Sequence, residues 1–558
     1  MSFRLKPLLL VVLSLSLSGP AAWAQVPPDA GSLRQQLEQQ FTPALPEATP
    51  VPAQTPPPEL QPQAGVSVFV KDFRMAGNTL LDTARLQASV SGFTNQTQDF
   101  AGLQRAADAV AAEYRKAGWI VRVYLPEQDV SNGLITLQII EARFSGTRFE
   151  GDAPRWVRAD VIERYFSAHQ AVGDYLSANN LDRALLLADD LPGVHVAGTL
   201  APGSADGETA LVLQTKDEAL IYGNVSVDNT GARSTGSTRL RANMAINSPV
   251  GRGEQLTFNL LHAEGMDYVR SALSAPVGYN GLRVGVNASY LSYKVIEGPG
   301  SERDIRVRGR SGSVGLDASY PLVRERLKNL YVLASIDNKT FLNRDTLVRS
   351  DYATRSARLG LSGNSFDEFG GGGSNSIFVQ GVWGRLGSIN VHPLQGTLRR
   401  DYTKLDFSLS RLQKVTGDHS LFASVQGQYA SRALDSSEKF YIGGAQSVRA
   451  YPVSEQGGDR GHVFTLEWRW RVTPDWQLTA FADYGRVTTL PLLATDTRIS
   501  NTLKGGGLSA TWQGPYGLLV SATWARRIGS NPQPTFTGAD SDGTRKINRF
   551  WLSASMPF

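Results

Sequence analysis

The sequence predicts a mainly-β chain. It reads as a transmembrane barrel of sixteen strands over residues 217–558, preceded by two small α/β modules and a short N-terminal helix. Three observations predict this. From about residue 219 to the C-terminus, apolar and polar residues alternate in segments of roughly ten, the length of a tilted strand crossing a bilayer. Residues 66–216 carry helical periodicity instead, and repeat a strand–helix–helix–strand–strand plan at intervals of roughly 75 residues. The first 24 residues have the order of charge, apolar run and small residues of a secretory leader.

Composition narrows the function. The 558 residues contain no cysteine, which excludes disulfides, thiolate metal sites and a cysteine nucleophile. The net charge of +5 is spread without a dense Lys/Arg cluster, so no nucleic-acid partner is expected. The mean hydropathy of −0.21 excludes a bundle of membrane helices.

In the leader, Arg4 and Lys6 precede an apolar run from Leu8 to Leu17, and Ala22-Trp23-Ala24 follow as an A-x-A cleavage site. Residues 1–24 are therefore expected to be a signal peptide. Residues 25–41 contain a short helix, "DAGSLRQQLEQQF", with Leu33, Leu37 and Phe41 four apart on one face. A helix this short and polar is not stable alone and must dock into something. Residues 42–65 are Pro-rich, extended and unable to form a core, so they are a linker. A helix on such a tether can leave its site without disturbing the rest.

The first module spans residues 66–142. Val66, Val68 and Val70 alternate as a strand, and Gly77-Asn78 mark a turn. Leu103, Ala107, Val110 and Tyr114 share a helix face that Gly118 ends. "VRVYLPEQDV" and "GLITLQIIEARF" are two further strands around Asn132-Gly133. The second module, 143–216, has a strand near 143–149, helices near 157–167 and 181–190, and strands near 193–200 and 208–216.

Gly77-Asn78-Thr79, Tyr114 with Gly118, Pro126 with Gln128, and Asn132-Gly133 leading to Glu141 stand in an order and spacing that resembles a POTRA (polypeptide-transport-associated) domain. The type is that of the two-partner secretion transporters, the TpsB or ShlB/FhaC/HecB-type haemolysin secretion/activation family. The resemblance implies periplasmic domains that capture an unfolded exported partner. Adding an extended chain to a free sheet edge would do this without side-chain specificity.

In the barrel, "VFTLEWRWRV" puts Phe464, Leu466, Trp468, Trp470 and Val472 on one side and Thr465, Glu467, Arg469 and Arg471 on the other. A soluble sandwich also alternates, but its buried face would not carry Trp at the ends of strands this long while the other face carries three charges. Sixteen such segments run from 220–229 to 547–558, an even number, as expected of a single-chain bacterial barrel with both termini on the periplasmic side; closure removes the sheet edges that lipid does not tolerate. The last puts Phe550, Leu552, Ala554, Met556 and Phe558 on one face, and a terminal Phe there resembles an outer-membrane sorting signal. Sixteen strands enclose a lumen wide enough for an aqueous channel unless something fills it. A polar inner face is expected, with the helix of residues 25–41 as the plug.

Residues 431–461 follow the eleventh segment and include "FYIGGAQSVRAYPVSEQGGDRG" from residue 440. Gly443, Gly444, Val448, Arg449 and Tyr451 match the sixth external loop of the family, which folds back into the barrel. Ala450 stands where the family has Gly, which implies less backbone freedom and a less sharp turn there. Phe481, Asp483 and Gly485 match the family's F-x-D-x-G wall motif. Alternation independently points Asp483 inward, because a carboxylate towards lipid is costly. An arginine fork can meet a carboxylate with two hydrogen bonds and lysine cannot, so Arg449 is expected to anchor on Asp483.

No catalytic constellation is present: the six histidines are scattered without metal spacing, and the Gly-rich stretches at 251–256 and 369–376 lack a strand–helix context. No enzyme activity, cofactor or metal is expected. The resemblance implies an outer-membrane translocator of a Gram-negative bacterium, monomeric and surrounded by outer-membrane lipid. Its partner would be a large secreted protein of adhesin or cytolysin type, with export driven by folding outside. An outer-membrane assembly or insertion factor, or a passive porin, is the alternative.

Overall fold

The computed structural model describes residues 28–39, 67–297, 307–345, 349–390, 398, 400–492 and 496–558. The expected signal peptide (1–24), the linker (42–65) and Phe41 lie outside these residues. The N-terminal helix α1 is Ala30–Glu38. A capping box starts it: the Ser32 amide donates to the Asp29 carboxylate at 2.7 Å, and the Asp29 amide donates to Ser32 Oγ at 3.1 Å.

The first module contains β1 (Ser67–Val70), β2 (Asp72–Ala76), α2 (Thr83–Val90), β3 (Gln96–Asp99), α3 (Phe100–Lys116), β4 (Val121–Tyr124) and β5 (Leu134–Glu141). The sheet order is β2-β5-β4, with β2 parallel to β5, and β1 pairs separately with β3. The run from Val66 is thus two strands. Val70 and Phe73 are both buried, and three residues apart they cannot share one face of an unbroken strand. The second module contains β6 (Arg143–Glu150), α4 (Ala159–His169), α5 (Ala178–Asp189), β7 (Val194–Pro202) and β8 (Glu208–Asp217), in sheet order β6-β8-β7. Each module buries its own core, around Phe73, Val110 and Ile135 in the first and Phe144, Phe166 and Leu187 in the second.

The barrel opens with β9 (Ile221–Asp228), β10 (Arg239–Asn247), β11 (Gln255–Ala263), β12 (Met266–Pro276) and β13 (Arg283–Lys294). It continues through β14 (Arg308–Arg324), β15 (Lys328–Arg344), β16 (Arg349–Asp367), β17 (Gly373–Asn390), β18 (Asp401–Lys414) and β19 (His419–Ala430). The short β20 (Phe440–Ile442) and β21 (Gln456–Gly458) pair with each other inside the following loop. The wall resumes as β22 (Arg460–Arg471), β23 (Trp476–Thr489), β24 (Ile499–Gln513), β25 (Leu519–Arg527) and β26 (Asn548–Pro557), and β26 pairs with β9 to close it. Sixteen antiparallel strands form the closed wall. β14 to β17 run 17–19 residues, longer than a bilayer needs, so their upper ends rise above the apolar band.

The second module is seated on the turns at one barrel end. Arg324 donates to both oxygens of Asp190 (2.7 and 2.8 Å), Arg326 meets Asp182 at 2.8 Å, and the Arg158 amide donates to Gly251 O at 3.0 Å. Those contacts define the module end of the barrel. The inner wall is not uniformly polar, as the sequence led one to expect. Leu261, Met266, Tyr268, Leu291, Tyr293, Phe341, Tyr352 and Leu386 form an apolar patch facing the lumen. The reason is that α1 covers it.

Candidate functional site

Among the described residues, α1 and the loop between β19 and β22 lie in the lumen. Leu33 and Leu37 of α1 are buried in the apolar patch. The neighbouring face of the helix is held by polar contacts. The Arg34 guanidinium donates to Ser311 Oγ (3.0 Å), Ser289 Oγ (2.6 Å) and Ser313 Oγ, on β13 and β14, and to Glu38 one turn on (2.8 Å). Glu38 in turn accepts from Lys339 Nζ of β15 at 2.5 Å.

The helix also touches the loop. Ser436 Oγ donates to the Asp29 carboxylate at 2.7 Å. Gly31 lies so close that a Cβ there would fall 2.7 Å from Ser436 Oγ and 2.8 Å from the Tyr352 hydroxyl. Glu438 pairs with Lys404 Nζ at 3.0 Å and with Lys339 Nζ at 3.7 Å. Lys339 therefore stands between a carboxylate of the helix and one of the loop, and its side chain is 3 % exposed.

Further along, the loop turns down the wall formed by β22 to β25. Gly443 and Gly444 have φ of +105° and +94°, a backbone that favours glycine, and they start the descent. Val448, Ala450 and Tyr451 are fully buried against Val463, Phe481, Val487, Leu503 and Ala525. Ala450 has no left-handed backbone; apart from the glycines, that conformation in this loop falls on Ser454. The turn therefore does not need a glycine at 450, contrary to the sequence expectation. Gly505 makes room for the extra methyl, since a Cβ at 505 would lie 2.5 Å from Ala450 Cβ. Gly485 does the same for Val448.

Arg449 ends at Asp483. Its Nε donates to Asp483 Oδ2 (2.9 Å) and its Nη2 to Oδ1 (2.7 Å), and its amide donates to Oδ2 at 3.1 Å. This is the bidentate arrangement that a fork permits. Alternation along β23 supplies the geometry: Thr479, Phe481, Asp483 and Gly485 are inward and buried, between Leu478, Ala480, Ala482 and Tyr484. Sequence reasoning missed three partners. Nη1 of Arg449 donates to Glu467 Oε1 at 2.8 Å, the guanidinium carbon lies 3.5 Å from the Phe481 ring centroid, and Trp551 Nε1 donates to Arg449 O at 2.8 Å. Glu467 was on the polar side of its strand, so alternation could have found it. Trp551 and the serines that hold Arg34 carried no such signal.

The first-module motif residues make a scaffold. Glu141 accepts from the amides of Thr79 and Leu80 and from the Tyr114 hydroxyl, each at 2.8 Å, and from Thr79 Oγ1. Burial works to raise the Glu141 carboxyl, but these hydrogen bonds outweigh it and hold it below its ordinary value. Asn78 donates to Leu81 O at 3.0 Å, and Gly77, Gly118 and Gly133 all have positive φ. Pro126 O accepts a hydrogen bond from Gln128 Nε2 at 3.3 Å. The structure brings Gly77, Asn78, Tyr114 and Glu141 together around one turn and leaves Pro126 and Gly133 at the far end of β4 and β5.

A closed sixteen-stranded barrel with an in-folded loop, a lumenal helix and POTRA-type modules defines an outer-membrane protein transporter with its modules in the periplasm. A family model described as haemolysin secretion/activation protein ShlB/FhaC/HecB matches residues 207–508, and one described as POTRA domain, ShlB-type, matches residues 68–142. The chain belongs to the ShlB/FhaC/HecB family. Among its relatives, the heme/hemopexin transporter protein HuxB of Haemophilus influenzae is 23% identical, with 95% of each chain covered. The outer membrane transporter CdiB of Escherichia coli is 25% identical, covering 99% of this chain and 92% of that one. The solved structure of CdiB from Escherichia coli superposes with a TM-score of 0.68 at 22% identity, covering 94% and 95%.

Proposed function

We propose that the chain moves one large unfolded secreted protein from the periplasm through its barrel, with α1 closing the pore at rest. The observation that carries this reading is α1 itself. It lies inside the lumen, held by side-chain contacts, and is followed by the Pro-rich segment 42–65 that leads to the first module. A passive porin has no need of a removable plug, nor of modules seated on its periplasmic turns. Relatives named as heme/hemopexin transporter and hemolysin transporter support a secreted protein as cargo. An adhesin or cytolysin fits the family best.

Arg449 keeps the loop docked while the cargo passes. The protein acts as a monomer in outer-membrane lipid and catalyses no covalent step. Deleting residues 66–216 tests the reading in cells that also make the cognate partner. Loss of secretion with conductance retained supports it. Unchanged secretion would favour the porin, and a general loss of other outer-membrane proteins would favour an assembly factor.

A further inference from the structure

The outward wall ends its apolar band in a repeated way at the end away from the modules. Trp383 on β17, Tyr484 on β23 and Trp524 on β25 close the band, and the next outward positions are Arg385, Arg486 and Arg526. On β24, which runs the other way, Leu508 and Gly506 lead to Lys504. All four cations are exposed. At the module end the aromatic residues Trp470, Trp476 and Trp512 are followed outward by Val472, Pro474 and Gly514. Aromatic girdles mark the two membrane–water interfaces. These cations therefore lie at headgroup level at the interface away from the modules, in the leaflet that faces out of the cell.

The ring is densest around an open cleft of about 350 Å³ lined by Arg355, Trp383, Arg385, Asp401, Thr403 and Arg432. Arg355 and Arg385 stand directly opposite each other in register, and Arg385 is opposite Asp401. Asp401 meets Arg385 at 3.6 Å, and Arg355 Nε has Asn338 Oδ1 at 3.4 Å. Like charges directly opposed across strands repel. Three guanidiniums around one carboxylate leave an excess of two positive charges beside a tryptophan, in a position where apolar side chains would otherwise serve. Guanidinium forks match phosphate oxygens, and the tryptophan beside them suits the start of an acyl chain.

We infer that this cleft binds the phosphate groups of a phosphorylated lipid in the outward leaflet. The full chain, reconstituted in phosphatidylcholine nanodiscs doped with bisphosphorylated lipid A or with its dephosphorylated form, tests this. Retained lipid is read by native mass spectrometry and the unfolding midpoint by heat-modifiable mobility. The bisphosphorylated lipid is expected to stay bound and raise the midpoint, and the dephosphorylated one to do neither. The triple variant Arg355→Gln, Arg385→Gln, Arg432→Gln should retain about tenfold less. Lys328→Gln, at the module end, should change nothing. Equal retention of both lipids, full retention by the triple variant, or complete displacement by inorganic phosphate would overturn the proposal. Should the triple variant fail to assemble, the lipid comparison on the unmodified chain and on Arg385→Gln decides.

Discussion

Replacing Arg449 by lysine keeps the charge and removes the fork. The arginine side chain gives Asp483 two hydrogen bonds (2.9 and 2.7 Å) and Glu467 one (2.8 Å). An ammonium on a flexible stem reaches one carboxylate at a time, so one or two of these bonds are lost. The backbone bond to Asp483 survives the substitution. A hydrogen bond to a charged group contributes about 1.5–3 kcal/mol, and the stacking over Phe481 a further ~1 kcal/mol, part of which a lysine keeps. The docked loop should therefore lose about 3 kcal/mol, or roughly a hundredfold in its docked-to-undocked ratio at 1.4 kcal/mol per tenfold. Spin labels on the loop tip and on β9 would report the distance distribution, and immunoblotting of the medium would report secretion. The variant is expected to assemble with normal heat-modifiable mobility, to show a second, longer distance, and to secrete poorly. A double-mutant cycle with Asp483→Asn should give a coupling above ~2 kcal/mol. Wild-type secretion with a single short distance, or a coupling under about 0.5 kcal/mol, would refute the bidentate role.

Gly31→Val places branched carbons against Ser436 and the rigid Tyr352 ring, so α1 should leave the lumen and single-channel recordings should show larger, longer openings. Gly505→Ala puts a methyl 2.5 Å from Ala450 Cβ and should loosen the loop, while adding Ala450→Gly in the same chain should restore docking and secretion. Because the folded-state value of Glu141 lies below its ordinary 4.5, its stabilisation is present above that pH and is lost as pH falls through the folded value. Glu141→Gln should thus cost the first module about 1–3 kcal/mol at pH 7. The acid limb of its urea stability, followed by proteolysis within 67–142, should flatten. An unchanged acid limb would remove Glu141 from its place as the pin of the Thr79 turn.

The architecture was legible because the barrel writes period two into every strand. Each of the sixteen expected segments falls on a wall strand, and the inward place of Asp483 follows from parity alone. What parity cannot show is which inward residues meet across the lumen. Arg34 finds serines more than 250 positions away, and Lys339 finds both Glu38 and Glu438. Those partners depend on the depth at which α1 and the loop settle. The apolar patch under Leu33 and Leu37 was hidden for a related reason. Leu291 and Tyr293 face inward while Tyr290 and, lower down, Val284, Val286 and Ala288 face outward, so apolar residues stand on both faces of β13 and the inward ones do not stand out. Ala450 was misjudged because its neighbour in space, Gly505, is 55 positions away and the compensation is invisible locally.

The two lumenal elements differ in what their departure leaves behind. When α1 goes, Lys339 loses Glu38 but keeps Glu438 at 3.7 Å, and Lys404 keeps Glu438 at 3.0 Å. No buried lysine is stranded, and the serines that held Arg34 are neutral and easily hydrated. The departing Arg34 and Glu38 can remain paired with each other, four residues apart on one helix. The penalty of about 3–5 kcal/mol for breaking a buried pair on one side is thereby largely avoided. Arg449 is different. Among the described residues it is the one cation paired with Asp483, whose side chain is 0 % exposed, so its removal leaves a buried carboxylate with only Thr465 as a side-chain donor. Glu467 would keep Arg469 at 2.7 Å, which places the uncompensated cost on Asp483 alone. The helix meets the loop at Ser436 and Tyr441, near the loop's start, whereas the tip is held by wall residues of β22, β23 and β26. Withdrawing the plug can therefore free the lumen for cargo while Arg449 stays in its seat, and charge pairing alone is enough to set that order.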